Sequence, residues 1–165
     1  MGKMSAGLLL YRHCDDAIEV FLVHPGGPFW INKDLGVWTI PKGEYDASES
    51  PLAAARREFQ EETGFAAPEG EMHSLSEVRL ASGKVVVAWA IGGGCDAEKI
   101  RSNTFTLEWP PKSGKMREFP EVDRAAWFSM QVAHQKIHPA QHAFLDRLSA
   151  LVPTITENRP RRADA

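Results

Sequence analysis

The feature that most constrains this chain is a cluster of three acidic residues, Glu58, Glu61 and Glu62. Positions i, i+3 and i+4 lie on one face of an α-helix, so a helix here would bring the three carboxylates together. They stand at the C-terminal end of that helix, where the helix dipole favours cations, and Arg57 supplies one positive charge against three negative ones. The cluster therefore predicts a bound cation. Oxygen ligands of this kind favour Mg²⁺, with Mn²⁺ as a substitute, over Zn²⁺. The alternative is an acidic face that is only solvated.

The ends of this helix are marked by residues with strong capping preferences. Ser50 suits the N-terminal cap, and Pro51 suits the first helical position, where its missing N–H group costs nothing. Gly64 suits the left-handed residue that ends a helix. Ala55 and Phe59 fall on a different side from the acids, which predicts a narrow apolar stripe that packs on a core.

The segment around the acids resembles the Nudix box, a pattern of glycine, glutamate, Arg-Glu, Glu-Glu and glycine at fixed spacing. Every defined position is filled, by Gly43, Glu49, Arg57, Glu58, Phe59, Glu61, Glu62, Gly64 and Phe65. The resemblance implies an α/β fold, the Nudix α/β/α sandwich with a mixed β-sheet between helices. It also implies an enzyme that hydrolyses a nucleoside diphosphate linked to another group, X, by attack of water at phosphorus.

The resemblance also assigns roles to individual residues. Glu58, Glu61 and Glu62 match the metal ligands, and the backbone carbonyl of Lys42 matches a group that often completes the metal site. The residues that match structural positions of the box are Gly43, Glu49, Arg57 and Gly64.

The general base is left open between two sources. In Nudix enzymes it is either one of the box glutamates or an acid from a loop outside the box. The outer candidates here are Glu118, Glu121 and Asp123. We predict Glu121, because the family tends to carry an acid shortly before its last strand, and Trp127-Phe128 is interpreted as that strand.

The substrate is less constrained. The lead-in from Trp38 to Gly43 resembles that of Nudix enzymes acting on diadenosine polyphosphates and of MutT-type enzymes that clear oxidised nucleotides. The downstream tyrosine of the first group is missing, since Tyr11 and Tyr45 are the only tyrosines. The residues that we predict to contact substrate are Trp30, Trp38, Lys42 and Arg79. The alternatives are packing for the tryptophans and a solvated surface for the cations.

Length and charge limit the remaining possibilities. We assign residues 1–152 of the 165 to a single domain, and 153–165, which lacks an apolar pattern, to a flexible tail. A net charge of −3 argues against an extended nucleic-acid-binding surface but not against a small nucleotide. Many relatives form homodimers, and the sequence does not decide the oligomeric state.

The cysteine count and the apolar runs indicate in which cellular compartment the protein is expected. Two cysteines cannot build a disulfide framework, and they favour a reducing, cytoplasmic environment. The apolar run at residues 7–10 is too short for a signal peptide or a membrane span, so we expect no membrane association.

The rest of the sequence predicts both α-helices and β-strands. Apolar runs at 5–12 and 18–24, and again at 74–80 and 84–91, predict two hairpins. A further strand is predicted at 104–109, a strand end at 127–128, and a C-terminal helix from about 139 to 151.

Two function classes follow from the resemblance. The first is a magnesium-dependent hydrolase of a nucleotide-like diphosphate. The second is a catalytically silent Nudix-fold module that binds a nucleotide as a sensor. Such modules usually lose box glutamates, whereas this chain retains all of them, which favours the hydrolase.

Overall fold

The computed structural model of the chain describes residues 3–157, with side chains described through residue 153. The strands are β1 (Met4–Cys14), β2 (Ala17–Pro25), β3 (Lys42–Tyr45), β4 (His73–Arg79), β5 (Val85–Gly92), β6 (Thr104–Glu108), β7 (Met116–Pro120) and β8 (Val122–Ser129). The α-helices are α1 (Pro51–Thr63), α2 (Met130–Lys136) and α3 (His142–Glu157), and short 3₁₀ turns lie at Ala97–Lys99 and Pro139–Gln141.

The central strand of the main sheet is β1. It pairs in parallel with β5 along one edge, and antiparallel with β3 and then β2 along the other. Outside these, β4 pairs with β5 and β8 pairs with β2. The sheet is therefore mixed, as predicted. Strands β6 and β7 form a separate two-stranded hairpin, which we call the arm (residues 104–120).

Both faces of the main sheet are covered by helices. Successive side chains of a strand point to opposite faces, so Leu8 and Leu10 of β1 pack with Phe59 of α1, whereas Leu9 packs with Phe144 of α3. All five of these side chains are fully buried. This arrangement is the α/β/α sandwich expected from the sequence.

Helix α1 begins and ends where its sequence predicts. The Ser50 side chain accepts a hydrogen bond from the Ala53 amide (3.2 Å), and Pro51 takes the first helical position. Gly64 ends the helix in the left-handed conformation (φ +80°), and its N–H donates to the Gln60 carbonyl. A side chain at position 64 would be strained, because its Cβ would lie 2.9 Å from the Arg101 carbonyl oxygen.

Three elements escape sequence-based prediction: β3, β7 and α2. Four of the five residues of β7 are exposed, and Arg117 and Glu118 stand side by side between Met116 and Phe119, so the strand lacks the apolar alternation that identifies a strand. Helix α2 has only seven residues. Helix α3, by contrast, is longer than predicted, since it continues to Glu157, into the segment assigned to a flexible tail. The rest of that tail, 158–165, lies outside the described residues.

A histidine–aspartate contact joins α2 to α3 and predicts a pH-dependent stability. His134 Nε2 lies 2.8 Å from Asp146 Oδ1, and the hydrogen bonds to Asp146 and to the Met130 carbonyl raise the pKa of His134. The His142 ring lies against it at 5.8 Å between centroids. A raised pKa stabilises the folded state below the unfolded-state pKa, and this contribution disappears as the pH rises through the folded-state pKa.

We therefore expect Asp146→Asn to lower the free energy of unfolding at pH 5.5 and to have little effect at pH 8.5. Because the pair is exposed to solvent, the loss at low pH should be about 0.5 kcal/mol. Urea denaturation at the two pH values measures it, with Asp16→Asn as the exposed control. An equal loss at both pH values would contradict this account.

Within residues 3–157, none of the helices combines the length and the apolar character that a membrane crossing requires.

Candidate functional site

An open cavity of about 430 Å³ lies where α1, β3, the β4–β5 hairpin and the base of the arm meet. Its lining is dominated by charged side chains. The residues that line it are Lys42, Gly43, Glu44, Glu58, Glu61, Glu62, Lys84, Asn103 and Glu121. The three acids of the helical cluster thus open into one cavity, together with a fourth acid from the predicted outer loop.

Arg57 organises two of the cavity acids and the loop before the helix. Its guanidinium donates to both carboxylate oxygens of Glu49 (2.6 and 3.2 Å), to Glu58 (2.7 Å) and to Glu61 (3.1 Å). It also donates to the Glu44 carbonyl. Hydrogen bonding to Glu49 and then to the other carboxylates raises the pKa of Arg57. The bidentate contact with Glu49 ties the incoming loop to α1.

The two innermost acids are costly to ionise. Burial raises the pKa of Glu62 to about 8 and also raises the pKa of Glu58. The Glu62 carboxylate accepts a hydrogen bond from the Lys42 amide at 3.2 Å. The Lys42 side chain forms another part of the wall, and burial, followed by repulsion from Lys84, lowers the pKa of its ammonium group. Removal from water disfavours the charged form of each of these groups.

The donor set fits a hard divalent cation. Five carboxylates line the cavity against two lysines, and the potential ligands there are oxygen donors, as Mg²⁺ and Mn²⁺ prefer. A cation would also offset the unfavourable burial of Glu58 and Glu62. Among the side chains of residues 3–153, no three acidic, histidine or cysteine groups already converge closely enough to hold one ion. Part of the reason is that Arg57 engages two of the acids.

The three outer acids lie in different surroundings. Glu121, at the junction of β7 and β8, lines the cavity. Its backbone is held on both sides, because its N–H donates to the Asn103 carbonyl (2.8 Å) and its carbonyl accepts from the Gly26 N–H (2.9 Å). Glu118 belongs to the arm, outside the cavity lining. Asp123 is hydrogen-bonded to His24 instead.

An apolar cleft of about 200 Å³ adjoins the acidic cavity. The residues that line it are Pro25, Trp30, Val37, Thr39, Lys42, Leu80, His138 and Gln141. Lys42 belongs to both linings, so the cleft and the cavity meet at this lysine. Trp30 is 39% exposed and forms one wall of the cleft.

Two of the predicted substrate contacts are not placed to meet a ligand. Trp38 is only 4% exposed and packs edge-on against His24 and Phe128, with Arg124 over its ring. A base-stacking role for Trp38 is therefore wrong, because its ring is enclosed in the core. Arg79 ends β4 and lies outside the lining of both the cavity and the cleft.

Sequence reasoning missed three residues of the cavity, Glu44, Lys84 and Asn103. Lys84 follows a tight turn in the β4–β5 hairpin, and its ammonium group lies 3.4 Å from Glu44 Oε1. Asn103 precedes the arm, and its N–H donates to the Glu61 carbonyl. Glu44 fills an undefined position of the box, and Lys84 and Asn103 belong to no motif, so no local signal identifies them. Only the packing of their segments on α1 and β3 brings Lys84 and Asn103 to the cavity.

Comparison with known proteins agrees with this fold. A family model described as NUDIX domain matches residues 4–148. The bis(5′-nucleosyl)-tetraphosphatase [asymmetrical] of Rattus norvegicus is 42% identical over 99 residues, 54% of this chain and 64% of that protein. The RNA pyrophosphohydrolase of Bartonella henselae is 32% identical over 74 residues, 38% of this chain and 36% of that protein. The chain thus spans between about one third and two thirds of the length of these relatives.

Among solved structures, a C. elegans Ap4A hydrolase binary complex superimposes with a TM-score of 0.64 at 23% identity. The superposition covers 92% of this chain and 98% of that one, and at this identity it establishes the fold alone. The family model covers nearly the whole described domain, including the box and its three acids. The chain therefore belongs to the NUDIX domain family.

Proposed function

We propose that this chain is a divalent-metal-dependent pyrophosphohydrolase that cleaves a nucleoside diphosphate linked to another group, X, by attack of water at phosphorus. The observation that carries the proposal is the pairing of an acidic cavity with an apolar cleft that meets it at Lys42. The cavity suits a metal ion and the phosphates, and the cleft suits a planar aromatic group.

Glu58, Glu61 and Glu62, with the carbonyl of Lys42, are the groups that would hold Mg²⁺, or Mn²⁺ in its place. A divalent ion there supplies charge neutralisation of the diphosphate and activation of water. Arg57 keeps Glu58 and Glu61 on the cavity side of α1 through its hydrogen bonds to both. Its contact with Glu49 anchors this arrangement to the preceding loop.

Glu121 is proposed as the general base. Glu121 lines the same cavity as the helical acids, and its backbone is fixed by hydrogen bonds to Asn103 and Gly26. A base must lie within reach of the attacking water, and fixed backbone geometry favours that placement. Glu118 and Asp123 are less suitable, since one lies outside the cavity lining and the other is occupied by His24.

We expect Glu121→Gln to lower kcat about a hundred-fold, because the amide cannot accept the proton of the attacking water. KM should change little, since the amide retains the size of the side chain. Steady-state kinetics with Mg²⁺ measures both constants. Glu118→Gln is the matched control from the arm and should behave as wild type. If Glu121→Gln is nearly unimpaired while Glu62→Gln is inactive, a box glutamate is the base.

The substrate class that we propose is a nucleoside triphosphate, normal or oxidised, or a dinucleoside polyphosphate. Trp30 forms a half-exposed aromatic wall on which a base can stack, and Lys42 stands between that wall and the acids, where a phosphate chain would pass. Lys84 adds a second cation on the phosphate side. The name of the rat relative, a bis(5′-nucleosyl)-tetraphosphatase, falls in the class of dinucleoside polyphosphate hydrolases. Cys14 and Cys95 are both free thiols, which fits a cytoplasmic enzyme.

A substrate panel tests the proposal. Nucleoside triphosphates, 8-oxo nucleotides, dinucleoside polyphosphates and ADP-ribose are incubated with the protein and Mg²⁺, and the products are separated by chromatography. Glu62→Gln, purified identically, reports contaminating phosphatase activity. We expect turnover of at least one member that requires Mg²⁺ and is abolished by chelation. Tight nucleotide binding without turnover of any member would instead support the silent binding module.

A further inference from the structure

A fully buried histidine beneath the site, His24 on β2, has no place in the proposed chemistry. None of its surface is exposed. Its two ring nitrogens reach in different directions, because Nδ1 lies 2.8 Å from Asp123 Oδ1 and Nε2 lies 2.6 Å from the Lys33 carbonyl oxygen. Asp123 follows His24 by 99 residues in the chain, whereas Lys33 follows it by nine.

His24 makes one hydrogen bond with each of its two partners. A carbonyl oxygen has no proton to donate, so Nε2 is the donor toward Lys33, and the second hydrogen bond joins Nδ1 to the Asp123 carboxyl group. The edge-on contact with Trp38, at 5.2 Å between ring centroids, holds the ring plane in place.

The hydrogen bond from His24 to Lys33 leads to the apolar cleft. The Lys33 carbonyl is held by His24, and the Lys33 N–H donates to the Trp30 carbonyl at 2.9 Å. The Lys33 ammonium group also lies 5.1 Å from the centroid of the Trp30 ring. Lys33 alone thus separates His24 from Trp30, the aromatic wall of the cleft. Trp30 lies on a loop whose neighbouring side chains Phe29 and Ile31 are mostly exposed.

The hydrogen bond between His24 and Asp123 leads to the acidic cavity. Asp123 stands two residues after Glu121, at the start of β8. The intervening Val122 is buried, and its N–H donates to the Ser102 hydroxyl at 2.9 Å. Gly26, just after β2, donates to the Glu121 carbonyl. Only glycine fits there, since a Cβ would lie 1.9 Å from the Pro120 carbonyl oxygen.

We propose that His24 is a positioning residue that fixes the Trp30 loop and the Glu121 segment relative to each other through its hydrogen bonds with Lys33 and Asp123. The inference rests on the proposed function. A base stacked on Trp30 is thereby aligned with the water that Glu121 deprotonates. Such alignment matters because small displacements of reacting groups cost large factors in rate.

Two substitutions of His24 separate the effects of its two hydrogen bonds. The amide nitrogen of asparagine lies two bonds beyond Cβ, as Nδ1 does, whereas that of glutamine lies three bonds beyond Cβ, as Nε2 does. His24→Asn therefore keeps a donor for Asp123 and loses the one for Lys33. We expect its KM to rise about ten-fold with kcat nearly unchanged, because a released loop weakens the base platform. His24→Gln should do the opposite, with kcat lowered about ten-fold and KM nearly unchanged.

All kinetic measurements on these variants use the substrate of the panel that the wild type hydrolyses fastest. Trp30→Ala should reproduce the KM effect of His24→Asn. Asp123→Ala should reproduce the kcat effect of His24→Gln, and Asp123→Asn, which retains an acceptor oxygen, should recover most of it. Leu148→Val, a change at a buried core residue of α3, controls for loss of stability, and it should lower Tm without separating KM from kcat.

Trypsin cleavage after the exposed Lys33, followed by mass spectrometry, gives a readout independent of turnover. His24→Asn should be cleaved several-fold faster than the wild type, and His24→Gln at nearly the wild-type rate. Equal cleavage of the two variants, or equal changes in KM and kcat for both, would overturn the inference. Absence of turnover by the wild type would instead remove the proposed function, and the cleavage rates would still decide whether His24 holds the loop.

Discussion

Glu62→Gln is expected to reduce hydrolysis at least about a thousand-fold, the largest effect predicted for any single change in this chain. Glu62 joins Glu58 and Glu61 on the cavity side of α1, and burial raises its pKa to about 8. An amide in this position removes the negative charge that a divalent ion needs.

The folded state should tolerate this substitution. Glutamine keeps an oxygen that can accept from the Lys42 N–H, the contact that Glu62 makes at 3.2 Å. It also removes a charge that burial disfavours, so the Tm of the metal-free protein should be unchanged or higher. Turnover across a Mg²⁺ titration and thermal unfolding measure the two effects. Glu69→Gln, an exposed acid after α1, should match the wild type. Activity within ten-fold of wild type for Glu62→Gln would exclude this metal site.

Gly43→Ala is expected to lower activity about a hundred-fold while leaving the fold intact. A Cβ at position 43 would lie 2.0 Å from the carboxylate of Glu58, so the glutamate side chain must move away. The obstacle is the end of a flexible side chain, and the backbone of Gly43 is not in the left-handed region. The cost therefore falls on the position of a metal ligand and not on the backbone.

The measurement is kcat/KM at saturating Mg²⁺ beside the Tm of the same sample. Gly94→Ala is the matched control, since a Cβ there meets no atom within 4 Å, and it should be fully active. A Gly43→Ala protein with wild-type activity would show that Glu58 need not occupy its present position. A large fall in Tm would indicate that the glycine serves the backbone after all.

Features that depend on neighbouring residues are predictable from this sequence. The limits of α1 follow from Ser50, Pro51 and Gly64, whose capping preferences act within one helical turn. Both hairpins of the main sheet follow from apolar runs around short turns. The convergence of the three box acids follows from the helical repeat alone.

Features that depend on distant contacts were not predictable. The parallel pairing of β1 with β5 joins segments some eighty residues apart, and nothing local in either strand specifies its partner. The same reason explains Trp38, which resembles a ligand platform in sequence but lies in the core between β2, β8 and α2. It also explains why Lys84 and Asn103 went unnoticed.

The sequence by itself determined the family, the helix that carries the acids and the chemistry those acids suit, because spacing along one helix fixes their geometry. Only the tertiary structure decided which outer acid faces them, where the apolar cleft lies and which residues hold both in place. In the sequence, only the family resemblance favours Glu121 over Glu118 and Asp123. In the structure, Glu118 belongs to the arm, and the pairing of β8 with β2 brings Asp123 to His24 and leaves Glu121 at the cavity.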